Sequence, residues 1–227
     1  MIERSFGVVL VLALGGLLVA GCNRGAPGDN AKVVAEPAAD DVASWLIVLR
    51  AEDVYAQRRA GGALVRIGAP AVAGLREAQG DPRVEVRDEA LLALIAIGPE
   101  GLAGVGAGLA DRDPLVRRRA VDGLAPYGAK AIPYFAEALK HEHHAVREDA
   151  ALALASFGEP AVAPLTAALK DPDARVREKA LSSLGAIGAP AVPTLEAVRL
   201  EPNRSMREKA AKLLDEIQAR TANTPAS

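Results

Sequence analysis

Apolar residues recur along this chain with the spacing of helices, and the pattern itself repeats every 30 residues. Between Asp171 and Val198, apolar positions fall three or four residues apart, as on one face of an α-helix. Gly188 and Pro190 divide this stretch, and they suit the end of one helix and the first turn of the next. No stretch alternates between apolar and polar residues over the length of a strand. The pattern therefore predicts pairs of helices, with Gly188 as a left-handed C-terminal cap, and essentially no β-strand.

The 30-residue period keeps several residue types in register from copy to copy. Leucine recurs at Leu64, Leu94, Leu124, Leu154, Leu184 and Leu214, and glycine recurs at Gly68, Gly98, Gly128, Gly158 and Gly188. Two short helices cannot bury their apolar faces alone, so the copies must stack on one another. We therefore expect an all-α solenoid of about five helix pairs over residues 40–218. Half-repeats would close its ends: one over Asp40 to Leu49, with Trp45 covering the core, and one over Arg204 to Arg220.

Residues 171–192 carry a known repeat signature. The chain reads DPDARVREKAL at 171–181 and IGAPAV at 187–192. These residues resemble HEAT repeats, and most closely the short bacterial type known from phycobilisome lyases. The resemblance covers roughly residues 40–218 and implies a right-handed α-solenoid whose second helices line a concave side. HEAT repeats serve many functions, so the resemblance is specific for fold and poor for activity.

The N-terminus has the organisation of an export signal. Arg4 supplies positive charge, and an unbroken run of 15 apolar and glycine residues extends from Phe6 to Ala20. This run is shorter than the roughly 20 residues that a membrane span needs, but it suits a secretory signal. It ends in Val19-Ala20-Gly21-Cys22, which resembles the bacterial lipobox. The resemblance implies a signal peptide over residues 1–21 and lipidation of Cys22; a buried structural cysteine and a plain signal anchor are the alternatives.

Residues 22–39 are predicted to be the lipidated cysteine and a flexible tether. Asn23 to Ala39 is rich in Gly, Pro, Ala and Asp and has no apolar period; a loop packed on the folded part is the alternative. Residues 219–227 are predicted to be a disordered tail. Acyl chains on Cys22 would anchor the protein stably to a membrane. We expect it in the bacterial cell envelope, on the periplasmic side of the outer membrane if the host is Gram-negative.

Composition excludes several classes of function. The chain has 27 basic and 29 acidic residues, a formal net charge of -2, which argues against a nucleic-acid partner. Its single cysteine rules out intramolecular disulfides and a cysteine-based zinc cluster. No set of nucleophile, base and acid stands out, and no glycine loop is built to hold phosphates. We therefore expect no enzymatic activity and no cofactor.

An arginine recurs at the same position of each copy. The column consists of Arg87, Arg117, Arg147, Arg177 and Arg207. We interpret it as a structural ladder rather than an anion-binding site, because in HEAT repeats the matching arginine resembles a staple to the turn aspartate or to helix-end carbonyls. Asp81, Asp111 and Asp171 hold the turn position, whereas His141 and Glu201 depart from it. The ladder should be weaker around those two turns.

All three histidines lie together, where other copies have an Asp-Pro turn. His141, His143 and His144 are weak candidates for a zinc or copper site. Adjacent residues on a turn seldom converge on one ion, however, and no other Cys or His can complete the shell. We therefore predict no metal site, with metal or small-ligand binding at this turn as an alternative function.

The second helices of the pairs are the predicted working surface. Their outward residues are mainly Ala, Gly and Pro, with a few larger side chains that are candidates for partner binding: Arg76, Tyr134, Glu137, Thr166, Thr194 and Glu196. Tyr134 is the expected anchor, because aromatic residues dominate interface energetics. The predicted function is a membrane-anchored extracytoplasmic scaffold for an unknown protein or peptide. A lyase-like or chaperone-like accessory subunit is the further alternative.

The glycines at 101, 104, 106 and 108 predict a second helix that is either loosened or tightly packed.

Overall fold

A computed structural model describes residues 36–222 of the chain. The predicted signal peptide over 1–21, Cys22 and all but the last residues of the predicted tether lie outside the described residues. Within 36–222 every regular element is helical, and the chain forms no β-strand there. None of the helices in this range is both long enough and apolar enough to cross a membrane.

Twelve α-helices follow one another along the described chain. They are α1 (Val42–Leu49), α2 (Val54–Ile67), α3 (Val72–Ala78), α4 (Val84–Ile97), α5 (Leu102–Gly108), α6 (Pro114–Leu124), α7 (Ile132–Ala138), α8 (His144–Leu154), α9 (Val162–Ala168), α10 (Ala174–Ile187), α11 (Val192–Val198) and α12 (Arg204–Ala222). The even-numbered helices up to α10 each pair with the helix that follows. This gives five stacked pairs with α1 and α12 as half-repeats at the ends, so the predicted α-solenoid is confirmed.

Each pair is joined through a glycine whose backbone only glycine readily adopts. Gly68, Gly98, Gly128, Gly158 and Gly188 all have positive φ, between 53° and 91°. The predicted cap differs in one respect: Gly188 has ψ -133°, outside the left-handed helical region. A Cβ is more strongly disfavoured there than in the left-handed region, which asparagine tolerates. The glycine column is therefore a stricter requirement than an ordinary helix cap.

The core is one continuous cluster made mainly of Ala, Val and Leu side chains. Phe135 is the largest fully buried side chain, and its ring centroid lies 5.2 Å from that of Phe157. The glycine-rich helix α5 is tightly packed rather than loosened. A Cβ at Gly101, in the turn just before α5, would overlap the backbone of Leu94, and one at Gly108, within α5, would lie 3.0 Å from Leu91 Cδ1. These glycines let neighbouring helices approach closely.

Both ends of the solenoid differ slightly from the predicted boundaries. Trp45 is buried, and its Nε1 donates to the carbonyl of Ala38 at 2.9 Å, so the last residues of the predicted tether are fixed to the first helix. At the other end α12 continues to Ala222 and so includes the start of the predicted tail at 219. Ile217 is buried, and Arg220 Nη2 donates to the carbonyl of Gly185 at 2.9 Å. These contacts stabilise the extra helical turn.

The arginine ladder and the candidate partner-binding face

Two steps of the arginine ladder are complete clamps between neighbouring repeats. Arg87 donates from Nε and Nη2 to the carboxylate of Asp111, at 2.8 and 3.0 Å. Arg147 holds Asp171 in the same way, at 2.7 and 3.0 Å. Each arginine also donates from Nη1 to two carbonyls of its own turn; for Arg147 these are at 2.7 and 2.9 Å. Side-chain exposure is 11% for Arg147 and 7% for Asp171, so most of the side-chain surface of the pair is shielded from solvent.

The turn aspartates also organise their own turns. The carboxylates of Asp81, Asp111 and Asp171 each accept the backbone N–H of the residue two positions later, at 3.0, 2.8 and 2.8 Å. Burial alone would raise the pKa of Asp171. The hydrogen bonds from Arg147 and from the Asp173 N–H outweigh it, and the pKa lies below its ordinary value. The aspartate thus fixes the turn and joins two repeats at once.

The ladder changes where the turn residue changes. His141 keeps the turn bond, because its Nδ1 accepts the N–H of His143 at 3.1 Å, but imidazole offers Arg117 no carboxylate. Arg117 instead donates from Nε to Asp149 on α8, at 2.7 Å. Arg177 precedes the turn that begins with Glu201. Among residues 36–222, its side chain bonds only to the carbonyls of Asp171 and Pro172, at 2.7 and 2.9 Å. Arg207, at the end of the stack, bonds to the carbonyls of Glu201 and Pro202.

Sequence reasoning missed the first member of this column. Gln57 lies 30 residues before Arg87, is buried, and donates to the carbonyl of Ala51 at 2.8 Å. An amide carries no charge to clamp Asp81. That aspartate pairs instead with Arg83 at 3.0 Å, and this contact is the main reason its pKa is lowered. The 30-residue period was sufficient to find Gln57, because it occupies the same repeat position as Arg87.

The histidine turn does not gather its side chains around one point. His144 Nδ1 lies 2.9 Å from Glu148 Oε1 on the same helix, and His141 Nδ1 is engaged with the turn N–H. The rings of His141 and His143 are 5.6 Å apart, centroid to centroid. Across residues 36–222, no three side chains of His, Cys, Asp or Glu are placed to share a metal ion.

We call the outward side of α3, α5, α7, α9 and α11 the B-helix face. Most of the equivalent exposed positions along it carry small or cyclic side chains. One column consists of Ala73, Ala103, Pro133, Ala163 and Pro193, and a second column consists of Glu77, Ala107, Glu137, Ala167 and Ala197. The face is therefore smooth, with a few charged groups standing out from it.

The six predicted partner-binding residues fall into two groups on this face. Arg76, Glu137 and Glu196 are exposed. The carboxylate of Glu137 pairs with Lys140, with its Oε2 2.9 Å from Nζ, and both side chains are largely in solvent. Such a group is available to a partner without disturbing the fold.

The other three candidates are half-buried and already join neighbouring repeats. The ring of Tyr134 lies on Gly106, where a Cβ would overlap it. Thr166 Oγ1 donates to the carbonyl of Val162 at 2.7 Å and lies 3.2 Å from Thr194 Oγ1, so this contact links α9 to α11. These residues shape the face, and only part of each side chain is exposed on it.

The opposite side of the stack holds a groove that the sequence did not indicate. It has a volume of about 660 Å³ and lies between α6 and α8. Val121 and Leu152 line it with Arg118 and Asp122, and Leu152 is 56% exposed. Leu152 shares its repeat position with the polar residues Asp122 and Ser182 but also with Leu92, so the available signal was a leucine at a position that is otherwise polar or glycine.

Family comparison agrees with this architecture. A model of HEAT repeats matches residues 102–166 and 157–215, which together span half of the chain. The chain belongs to the HEAT-repeat family. No curated protein matches its sequence.

Solved structures similar to this HEAT-repeat chain include the N-terminal domain of MAST/Orbit. That domain is 17% identical, with 77% of this chain and 96% of that chain covered and a TM-score of 0.59. A TOG domain of crescerin is also 17% identical, with 79% and 88% covered and a TM-score of 0.52. Human deoxyhypusine hydroxylase is 25% identical over 78% of this chain and 74% of its own, with a TM-score of 0.45. The likeness to the first two shows the fold.

Proposed function

We propose that this HEAT-repeat protein is a membrane-anchored extracytoplasmic scaffold that binds a partner protein or peptide on its B-helix face. The observation that carries the proposal is the character of that face. Small or cyclic side chains occupy most of the equivalent exposed positions along five stacked pairs, so a partner segment can approach the helices closely. Stacked repeats form extended binding surfaces of this kind.

The anchor part of the proposal is supported by the N-terminal sequence. An apolar run from Phe6 to Ala20 leads directly into Val19-Ala20-Gly21-Cys22, and a lipobox has this arrangement. Two or more acyl chains on Cys22 would hold the protein on a membrane without a spanning helix. Export would place the solenoid outside the cytoplasm, in the cell envelope.

The proposed role is binding without catalysis. Two of the three histidines make local contacts, His144 with Glu148 and His141 with the turn N–H of His143. Ser182 Oγ donates to the carbonyl of Glu178 on its own helix. The exposed candidates on the B-helix face, Arg76, Glu137 and Glu196, are groups that orient a partner through charge.

The test compares two charge reversals on opposite sides of the solenoid. Glu137→Arg changes the B-helix face, and Glu178→Arg changes an exposed glutamate on α10, on the other row of helices. Full-length protein with either substitution is the bait for affinity capture from detergent-solubilised membranes of the host. Tyr134→Ala is a poorer choice, because it also removes packing on Gly106.

We expect proteins captured by the wild type to be retained by Glu178→Arg and lost with Glu137→Arg. Equal recovery with both variants would move the binding surface away from the B-helix face. A Cys22→Ala variant tests the anchor separately, by incorporation of labelled palmitate and by membrane fractionation. Unchanged labelling and unchanged membrane association of that variant would contradict lipidation at Cys22.

A further inference from the structure

Arg87 and Arg147 each bind the aspartate of the next turn. Arg177 has no such carboxylate partner in the described part of the chain, because the next turn begins with Glu201. Arg177 Nη1 donates to the carbonyls of Asp171 and Pro172, as Arg147 Nη1 does one repeat earlier. This orients the guanidinium of Arg177 in the same way as that of Arg147. Its Nε and Nη2, however, contact no acceptor within residues 36–222. We call this arrangement the open step.

A backbone donor is open at the same place. In the turns at 81, 111 and 171, the N–H two residues after the aspartate donates to the aspartate carboxylate. The matching donor here is the N–H of Asn203, which makes no hydrogen bond to any part of the described chain. At Asp171, one carboxylate accepts both from Arg147 and from the turn N–H. The open step presents the same two kinds of donor without that carboxylate.

The cause is the residue at position 201. Glutamate has one methylene more than aspartate and does not form the short turn to the N–H two residues later. Glu201 is exposed, and its carboxylate makes no ion pair with Arg177. Glu201 also lines the cavity that Arg177 lines, so its carboxylate is the internal competitor of a partner carboxylate for the guanidinium of Arg177.

The open step lies in a cavity large enough for a partner side chain. The cavity has a volume of about 480 Å³, and its lining includes Arg177, Asn203 and Met206. Thr166 and Thr194 form its side toward the B-helix face, so the cavity adjoins the proposed binding surface. Lys170 also lines it and adds a second positive charge. The lining thus combines a planar cation, a hydroxyl pair and a flexible apolar side chain.

We propose that the open step is a binding site for a carboxylate of the partner, which occupies the place that Asp171 occupies beside Arg147. The guanidinium of Arg177 would hold the carboxylate through two parallel hydrogen bonds, a geometry for which arginine is pre-organised. The carboxylate belongs to an Asp or Glu side chain or to a chain terminus. The inference rests on the proposed scaffold role only for the origin of that carboxylate, since the site is defined by Arg177 and Asn203 themselves.

The experiment follows the Nε–Hε resonance of Arg177 in the full ¹⁵N-labelled chain. Three short peptides are titrated: acetyl-Ala-Asp-Ala-amide, acetyl-Ala-Asn-Ala-amide, and acetyl-Ala-Ala-Ala with a free C-terminus. The first and third separate a side-chain carboxylate from a terminal one, and the second is the neutral isostere. The resonance of Arg147, whose clamp on Asp171 is closed, is the internal control.

Two substitutions at one position sharpen the test. Glu201→Asp restores the aspartate found at this repeat position, and its carboxylate should bind Arg177 as Asp171 binds Arg147. The affinity for a carboxylate peptide should then fall about tenfold or more, because the ligand must displace an internal charge-assisted pair. Glu201→Gln removes the competing charge without closing the step, so the affinity should be at least that of the wild type. Neither substitution touches a buried residue.

We expect the Arg177 resonance to shift with at least one carboxylate peptide and not with the amide peptide, while that of Arg147 stays in place. Binding of only the peptide with a free C-terminus would support the site and identify the terminal carboxylate as its ligand. An equal response to the amide peptide, an unchanged affinity in Glu201→Asp, or no shift at all would overturn the inference. The capture experiment with Glu137→Arg is independent, so failure of one proposal is distinguishable from failure of the other.

Discussion

The ladder arginine joins α8 to α10 in one way and α6 to α8 in another. Arg147 and Arg117 both donate from Nη1 to carbonyls of their own turn. Arg147 then clamps Asp171 with two bonds, and only 7% of the Asp171 side chain is exposed. Arg117 reaches Asp149 with one bond, and 45% of the Asp149 side chain is exposed. The arginine column is constant, but the residue in the next turn decides how firmly two repeats are joined.

The looser step coincides with the groove between α6 and α8. Both helices end early, at Leu124 and Leu154, and continue as 3-10 turns, whereas α10 runs on to Ile187. The groove of about 660 Å³ lies beside the Arg117–Asp149 pair, and both residues line it. A solenoid is a series of nearest-neighbour interfaces, so a weak interface changes stability locally rather than throughout. The two steps can therefore be compared by substitution.

The largest effect is expected from Asp171→Ala. It leaves the Arg147 guanidinium, which is only 11% exposed, without its counter-charge, and it removes the turn bond to the Asp173 N–H. We expect a loss of about 3 kcal/mol in the free energy of unfolding, because removing one partner of a buried pair is costly. Urea denaturation of the full chain, followed by circular dichroism, measures it.

Two further variants assign that loss to the ion pair. Asp171→Asn keeps an acceptor for the turn N–H and removes only the charge, so it should cost less than the alanine. His141→Ala, at the same repeat position, loses only the turn bond from the His143 N–H and should cost about 0.5–1 kcal/mol. If Asp171→Ala and His141→Ala were equally destabilising, the clamp would contribute nothing beyond the turn.

The sequence was sufficient for the fold because the repeats constrain one another. A 30-residue period in Leu and Gly places each apolar stripe against the next copy, and this alone fixes the number of pairs and the half-repeats at both ends. The predicted boundaries were less accurate, because Ala38 and Arg220 are held by hydrogen bonds to residues 7 and 35 positions away. Contacts of that kind leave no periodic signal.

The candidate site was only partly predictable. The weak turns at His141 and Glu201 follow from the missing aspartate, but the detour of Arg117 to Asp149 depends on side-chain geometry across two helices. Periodicity also predicted that Tyr134 lies on the B-helix face. It could not show that the ring lies on Gly106 and is half-buried, because the space above a glycine depends on how closely two repeats approach.

An intermediate effect is expected from His141→Asp, which should convert the looser step into the firmer one. The new carboxylate would offer Arg117 the two-bond clamp that Arg147 has, and it would keep the turn bond to residue 143. We expect a gain of about 1 kcal/mol, typical of restoring a consensus residue. Thermal or urea unfolding of the full chain measures it.

A double-mutant cycle tests the reason for that gain. In a background of Asp149→Ala, Arg117 has lost its present partner, so His141→Asp should stabilise the protein by more than it does in the wild type. Equal gains in both backgrounds would mean that the carboxylate introduced by His141→Asp does not contact Arg117. The stabilisation would then come from the turn alone.

The smallest effect is expected on the pH dependence of the unfolding free energy. This dependence separates the contribution of the Asp171 charge from that of side-chain packing. The pKa of Asp171 is lower in the folded chain than its ordinary value of 3.8, since the bonds from Arg147 and the Asp173 N–H outweigh burial. The stability that this carboxylate provides is therefore fully present above about pH 5 and is lost as pH falls through 3.8 toward the folded pKa. Asp171→Asn has no such titration. The difference in unfolding free energy between wild type and Asp171→Asn should thus be constant near neutral pH and shrink in acid. A difference that stayed constant down to about pH 3 would show that the charge on Asp171 contributes no stability.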